Sequence, residues 1–313
     1  MEYAQLGRTG LLVSKLGFGA SPLGNEFGER DPVEGERAVH CAIDLGISYF
    51  DVAPYYGRTL AETRLGAALE GRRDKVVLAT KCGRYDAGLF DFSPARIRTS
   101  IEESLRRLRT DYLDVFLAHD IEFVDPRQIV GEAIPTMRAL QWEGKARAVG
   151  ITGLQLKVMR RVAEAAPVDA ILSYCRYNLL ITDMDDLLTA FVGQHHIGLI
   201  NASPLHMGML TDSGPPAWHP APAEVKEAAR HVVDACRARG ALASDLALQF
   251  CLQHPYAATT LAGMATVEQV RQNVRAASHR PDPDLLEEAR RIAAPVFNRT
   301  WASGRPENQD YAC

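Results

Sequence analysis

Short apolar runs alternate with longer segments of helical periodicity along almost the whole chain. The first core run is 15–20, preceded by residues 2–13, whose Gly7-Arg8-Thr9-Gly10 turn predicts a small hairpin. Val33, Ala38, Val39, Ala42 and Ile43 then recur at helical spacing over 32–45, and Gly46 stops that helix. Further apolar runs predict strands at 47–52, 75–80, 112–118, 146–152, 170–174, 198–202 and 258–261. Helical patterns lie between and after them at 61–69, 94–108, 126–143, 154–164, 184–195, 222–239, 244–253 and 266–277. At 93–94, Ser93 supplies a cap and Pro94 a φ that is already helical.

Eight strands alternating with helices fit either an open doubly wound sheet or a closed barrel. The count favours the barrel. So does the first strand–helix turn, which reads Gly-Phe-Gly-Ala-Ser-Pro-Leu-Gly and lacks the Gly spacing of a dinucleotide-binding fingerprint. The expected fold is an α/β chain with one (β/α)8 barrel over 1–313, an N-terminal β-hairpin and a C-terminal tail. Loops are expected at 207–222, where Pro215, Pro216 and Pro220 cluster, and after Pro295.

Composition narrows the partners. Against 39 Asp and Glu stand 35 Lys and Arg, a net charge of −4, which offers no electrostatic footprint for nucleic acid or an anionic membrane. No apolar run approaches the ~18 residues of a membrane span, and residues 1–10 lack a leader pattern, so a cytoplasmic protein is expected. The cysteines at 41, 82, 175, 236, 251 and 313 have no paired spacing and read as small buried hydrophobes in a reducing compartment. His195, His196 and His206 lack the company of a metal site, and no metal is expected.

In a barrel, reactive groups sit where strands end. The second apolar run ends in Asp51, the third in Lys81 and the fourth in His119, and Ala53-Pro54-Tyr55-Tyr56-Gly57 follows Asp51. A carboxylate can hold an ammonium, the ammonium can lower the pKa of a phenol, and an imidazole beside them can orient a carbonyl or hydroxyl. Four such groups at consecutive strand ends point to proton-transfer chemistry.

The contexts Phe-Asp-Val-Ala-Pro-Tyr-Tyr-Gly, Ala-Thr-Lys and Phe-Leu-Ala-His resemble the aldo-keto reductase superfamily, as do Leu-Gly-Arg-Thr-Gly-Leu near the N-terminus and Asn-Ala-Ser-Pro-Leu-His-Met-Gly-Met-Leu at 201–210. The resemblance implies that Tyr56 is the general acid/base, that Lys81, held by Asp51, tunes its phenol, and that His119 orients the reacting C–O group. It further implies an extended nicotinamide dinucleotide across the open face, against Thr152, Tyr174, Ser203, Leu205, Gly208, Gly263, Gln269 and Asn273. Gly263 and Gln269 stand where members that prefer NADP carry a basic pair for the 2′-phosphate, and Glu268 would repel that phosphate. NAD is therefore expected over NADP, with Arg271 an exposed helix charge.

Segments 119–123, 150–157, 173–178 and 294–304 are similar to the branch of the superfamily that oxidises L-galactose at C1 to L-galactono-1,4-lactone. L-Fucose, D-arabinose and pyridoxal-type alcohols are the alternative substrates. A neutral sugar calls for convergent donors and acceptors over an apolar floor; Tyr55, Asp120, Glu122, Arg176 and Trp301 are the expected contacts, with Trp301 covering the site. A monomer or weak homo-oligomer is expected. The intact set of four argues against a catalytically silent nucleotide-sensing subunit.

Overall fold

The computed structural model describes residues 1–310. It opens with the antiparallel pair β1 (Tyr3–Gln5) and β2 (Leu12–Ser14), joined through the Gly7–Gly10 turn. The barrel strands follow as β3 (Leu16–Gly19), β4 (Tyr49–Asp51) and β5 (Val77–Cys82). A second two-stranded piece, β6 (Arg84–Asp86) with β7 (Leu89–Phe90), interrupts the alternation. The series resumes with β8 (Leu113–Ala118), β9 (Ala146–Gly153), β10 (Ala170–Tyr174), β11 (Gly198–Ala202) and β12 (Ala257–Gly263). β3, β4, β5, β8, β9, β10, β11 and β12 close in that order into a parallel barrel, β12 pairing back onto β3. The expected (β/α)8 barrel is therefore the observed one.

Apolar burial explains the closure. Strands such as β8 are buried along their whole length, as parallel strands covered on both faces must be. Inside the barrel, Tyr49, Val115, Leu117, Leu172 and Ile200 pack with the small Ala79, Ala148 and Ala170, and the hairpin adds Leu6, Leu11 and Val13. The hairpin thus plugs the N-terminal end: Arg8 N–H donates to the carbonyl of His196, just ahead of β11. The opposite end is left for chemistry.

Several boundaries differ from the sequence pattern for identifiable reasons. β5 runs to Cys82, so Lys81 lies within the strand; its register partner is Leu117. The helix expected over 126–143 carries a π turn at Ile129–Ala133 between Pro126–Gln128 and Ile134–Trp142. Pro135 sits just beyond that turn and has no N–H to give, so a local widening of the ladder accommodates it. The helix Pro283–Ala293 has no counterpart in the pattern read above. Asp282 caps it through Leu285 N–H at 3.0 Å, and Leu285, Ala289 and Ala293 bury one stripe.

Cys82, Cys175, Cys236 and Cys251 are buried and unpaired, as expected, whereas Cys41 is only half-buried; Cys313 lies outside the described residues. Among the described residues, no helix is long and apolar enough to cross a membrane.

Candidate active site

β4, β5 and β8 stand side by side in the barrel and deliver three polar residues to its open end: Asp51, Lys81 and, one residue past β8, His119. Lys81 Nζ donates to Asp51 Oδ1 at 2.5 Å and to the Val52 carbonyl at 2.8 Å. The same ammonium lies 4.8 Å from the centroid of the Tyr56 ring. The rings of Tyr56 and His119 meet edge to face at 5.7 Å. All four residues expected to carry chemistry are therefore brought together.

Tyr56 is placed by a tight loop. Gly57 has a positive φ of 59°, and a Cβ there would come 2.2 Å from the Gly24 carbonyl oxygen, so only glycine allows this approach. Its N–H donates to Glu26 Oε1 at 2.7 Å, which ties the Tyr56 loop to the loop after β3.

Burial governs the protonation states. His119 is held well below the usual imidazole range, by desolvation first and then by the cations Lys81 and Arg84, so it is neutral at physiological pH. For Lys81, burial pulls the ammonium down, but Asp51 and Tyr56 outweigh it and the net shift is upward. The Tyr56 phenol is pushed up to about 12 by burial, with Asp51 and Asp120 adding to the rise. Lys81 acts in the expected downward direction without overcoming the burial.

Two cavities open onto this cluster. The larger, about 680 Å³, runs along Ser203, Leu205, Gly208, Gly263, Gln269 and Asn273. The smaller, about 470 Å³, is walled by Tyr55, Arg84, His119, Asp120, Tyr174 and Trp301. Asp51, Tyr56, Ala202, Ser203 and Trp218 line both, so the two are arms of one groove that meet at Tyr56. The Phe27 and Trp218 rings, 5.8 Å apart, connect the loop after β3 with the loop after β11. An arm of this volume with Gly19, Gly208 and Gly263 in its wall, positions that carry no side chain, has room for a dinucleotide.

Not every expected contact lies where it was assigned. Thr152 and Tyr174 line the smaller arm and not the larger, on the side away from Gln269 and Asn273. Arg176 does not reach the groove: it is fully buried, its guanidinium donating to both oxygens of Asp183, at 2.9 and 2.5 Å, and pairing with Asp310 at 2.8 Å. Glu122 is likewise buried behind the wall. Its Oε1 accepts the Leu154 N–H at 2.9 Å, and its main-chain oxygen accepts from Arg305 N–H and Asn308 Nδ2 at 2.9 Å each. Both residues hold the chain beneath and beside the pocket in place of contacting a sugar. Asp120 does line the small arm, yet only 1 % of it is exposed and its Oδ2 is engaged by Arg84. Arg84 is the wall residue that the strand-end pattern does not reach, because it begins the extra hairpin three residues past Lys81. Arg271 is exposed, as expected.

The Glu122 carboxyl has a measurable signature. It is pushed up to about 8, by burial first and by the charge of Asp120 second. A carboxyl with its pKa raised on folding contributes stability below the ordinary value near 4.5, and that contribution is lost as pH rises through about 8. Glu122→Gln is expected to flatten this part of the profile. Between pH 5 and pH 9 the wild-type Tm should fall by about 5 °C more than that of the variant. Parallel melting profiles would show that Glu122 carries no such load.

Residues 15–294 match the aldo/keto reductase family. The chain is 46 % identical to L-galactose dehydrogenase from Arabidopsis thaliana, over 98 % of this chain and 99 % of that protein. It is 30 % identical to D-threo-aldose 1-dehydrogenase from Pseudomonas sp, over 91 % and 97 %. Among solved structures, the aldo-keto reductase AKR11C1 from Bacillus halodurans, in its holo form, superposes with a TM-score of 0.80 at 28 % identity, covering 99 % of this chain and 100 % of that one. Members of the family are oxidoreductases that work with nicotinamide cofactors. A closed parallel barrel, a groove at its C-terminal end and a match across nearly every residue lead to one conclusion: this chain belongs to the aldo/keto reductase family.

Proposed function

We propose that the chain is an NAD-dependent aldose 1-dehydrogenase that oxidises L-galactose at C1 to L-galactono-1,4-lactone. One observation carries the reading: Tyr56 lines both arms of the groove, between the larger arm and a smaller one walled by Arg84, His119 and Asp120, in a chain 46 % identical to L-galactose dehydrogenase. Bound in its oxidised form in the larger arm, the nicotinamide supplies the hydride acceptor. The chain's residues handle the proton. As C1–H leaves with its electron pair, the O–H proton at C1 passes to Tyr56 in its phenolate form, which becomes the neutral phenol, and the C1–O bond becomes a carbonyl. Neutral His119 can hydrogen-bond that oxygen without donating a full charge to it. Lys81, fixed by Asp51, stabilises negative charge on the phenol.

The preference for NAD is supported by hydrogen bonds at the end of the larger arm. Gln269 Oε1 accepts the Ala265 N–H at 2.8 Å, Glu34 Oε1 accepts the Val267 N–H at 2.9 Å, and Thr266 Oγ1 accepts the Gln269 N–H at 3.2 Å. Amides at this helix start, a natural seat for a phosphate, are already occupied, one of them by a carboxylate. The net charge of −4 suits a cytoplasmic enzyme for an uncharged sugar, a monomer or weak homo-oligomer without nucleic-acid or membrane partners.

Steady-state oxidation of L-galactose, L-fucose, D-arabinose and pyridoxine with each cofactor tests the proposal. L-Galactose with NAD should give the highest kcat/KM, and NADP should be at least about tenfold poorer, since an unpaired dianionic phosphate is poorly bound. A faster alternative substrate reassigns the sugar, and equal use of NADP withdraws the cofactor preference.

A further inference from the structure

Arg84 has no part in the proton transfer described above, yet it occupies the wall of the small arm beside Tyr55, His119 and Asp120. We infer that Arg84 is the specificity-determining donor for the hydroxyls of a neutral sugar, and that Asp120 is the positioning residue that fixes it. The inference rests on the reading of the substrate as an aldose.

The geometry immobilises the guanidinium from three sides. Asp120 Oδ2 accepts from its Nη1. The Tyr55 ring lies beneath it, 3.9 Å from centroid to Cζ, and the Phe90 and Phe123 rings flank it at 5.4 and 5.5 Å. Phe90 and Phe123 are themselves stacked at 4.4 Å, 9° from parallel. A guanidinium held in this way loses little further freedom when it donates to a ligand. Both Arg84 and Asp120 line the arm, but the Arg84 side chain retains 17 % exposure and that of Asp120 2 %, so the arginine offers the groove more surface than the carboxylate.

Charge decides which ligand class this suits. An unpaired arginine in a cavity selects carboxylates and phosphates. Here the buried Asp120 neutralises the cation, so an anionic substrate gains no net charge partner, while the Nη N–H groups that Asp120 does not engage are left to donate to lone pairs. Those are the hydroxyl and ring oxygens of an uncharged sugar. Tyr55 and Phe123, which line the same arm, add the apolar surface against which a sugar's C–H face packs. Asp120 takes a left-handed conformation, with φ 54°, directly after His119, and its Oδ2 stands 3.8 Å from His119 Nε2 while accepting from Arg84, so the pair borders the reacting centre.

The test compares wild type, Arg84→Met and Arg84→Lys with L-galactose, its monodeoxy analogues (L-fucose being the 6-deoxy one) and NAD. Loss of a charge-assisted hydrogen bond should raise KM for L-galactose by about 10–100-fold in Arg84→Met, with a smaller change in kcat. Lysine should recover part of the loss. For at least one monodeoxy analogue the penalty seen with the wild type should vanish in Arg84→Met, because the hydroxyl and its donor form one interaction. Deoxy penalties that are the same in both enzymes, or a fall in kcat with KM unchanged, overturn the assignment while leaving the aldose reading intact. A wild type that oxidises no aldose overturns the aldose reading, and Arg84 falls with it. Asp120→Asn adds an independent sign: freeing the cation should shift the ratio of kcat/KM for D-galacturonate over L-galactose upward, and an unchanged ratio counts against the pairing argument.

Discussion

Tyr56→Phe is expected to lower the rate of aldose oxidation by about 10²–10⁴-fold, the range supplied by a positioned general acid or base. The substitution removes one oxygen and leaves the ring, which keeps its edge-to-face contact with His119 at 5.7 Å and its place 4.8 Å from the Lys81 ammonium. Dissociation of NAD, followed by quenching of tryptophan fluorescence, should therefore change only a few-fold. The pH profile adds a second readout. With the phenol pushed up to about 12, only about one enzyme in 10⁵ carries the phenolate at pH 7, and that fraction grows tenfold for each pH unit. Oxidation by the wild type should rise with pH from 7 to 10, whereas the residual rate of the Phe variant should lack that rise. A variant within tenfold of the wild type, or one with the same slope, takes Tyr56 out of the mechanism.

The profile also isolates the role of the ion pair beneath the tyrosine. Lys81 is the nearest cation to the phenol and its upward shift keeps it charged throughout this range. It opposes the burial that Asp51 and Asp120 reinforce. The ammonium thus works against the desolvation of the phenol beside it, and the lowered dielectric of that surrounding is what lets one ammonium act strongly on one phenol.

Much of this site is legible in the sequence because polar residues interrupt apolar runs at strand ends. Asp51, Lys81 and His119 are such interruptions, and the strands that bear them are almost wholly buried, so a charged or polar residue stands out against the apolar run. β10 and β11 fall at 170–174 and 198–202 as the pattern predicts, since each is a compact apolar run. Arg84 escapes that logic. It belongs to a two-stranded piece with a shifted register and too few residues to show a period. Glu122 and Arg176 fail in the opposite way: they sit beside His119 and Tyr174 in sequence or strand order, yet a charged residue near a pocket can face it or brace it from behind. What decides is the partner, and for Arg176 one partner, Asp310, lies at the far end of the described chain. For Glu122 the partners are amides of 154 and 305, supplied by two other segments. No local pattern carries that information. The Pro283–Ala293 helix, by contrast, is announced by Asp282 and the spacing of Leu285, Ala289 and Ala293, and was readable.

Arg176→Met should be among the most destabilising single changes in the molecule, about 3–5 kcal/mol, which is the cost of stripping a buried carboxylate of its cation. Asp183 would lose both of its guanidinium bonds, at 2.9 and 2.5 Å, and the Leu154 carbonyl a third at 2.9 Å. Asp310 would fare better. Its two oxygens also accept the Leu156 and Lys157 N–H groups at 2.8 Å each, so the start of the helix Leu156–Ala165 continues to hold it. Arg176→Met combined with Asp183→Asn should recover a share of the loss, because the second change removes the charge that the guanidinium served. Urea unfolding of the two variants measures both quantities. The pocket supplies a control on the other assignment of this residue: Trp301, Ser303 and Gly304 line the small arm, and the segment that bears them is anchored through Asn308 and Asp310. A loosened anchor should raise KM for the sugar while NAD still binds in the larger arm. If Arg176→Met were as stable as the wild type and bound L-galactose more weakly, the guanidinium would have to be a sugar contact after all, and the buried triad of Arg176, Asp183 and Asp310 would lose its structural meaning.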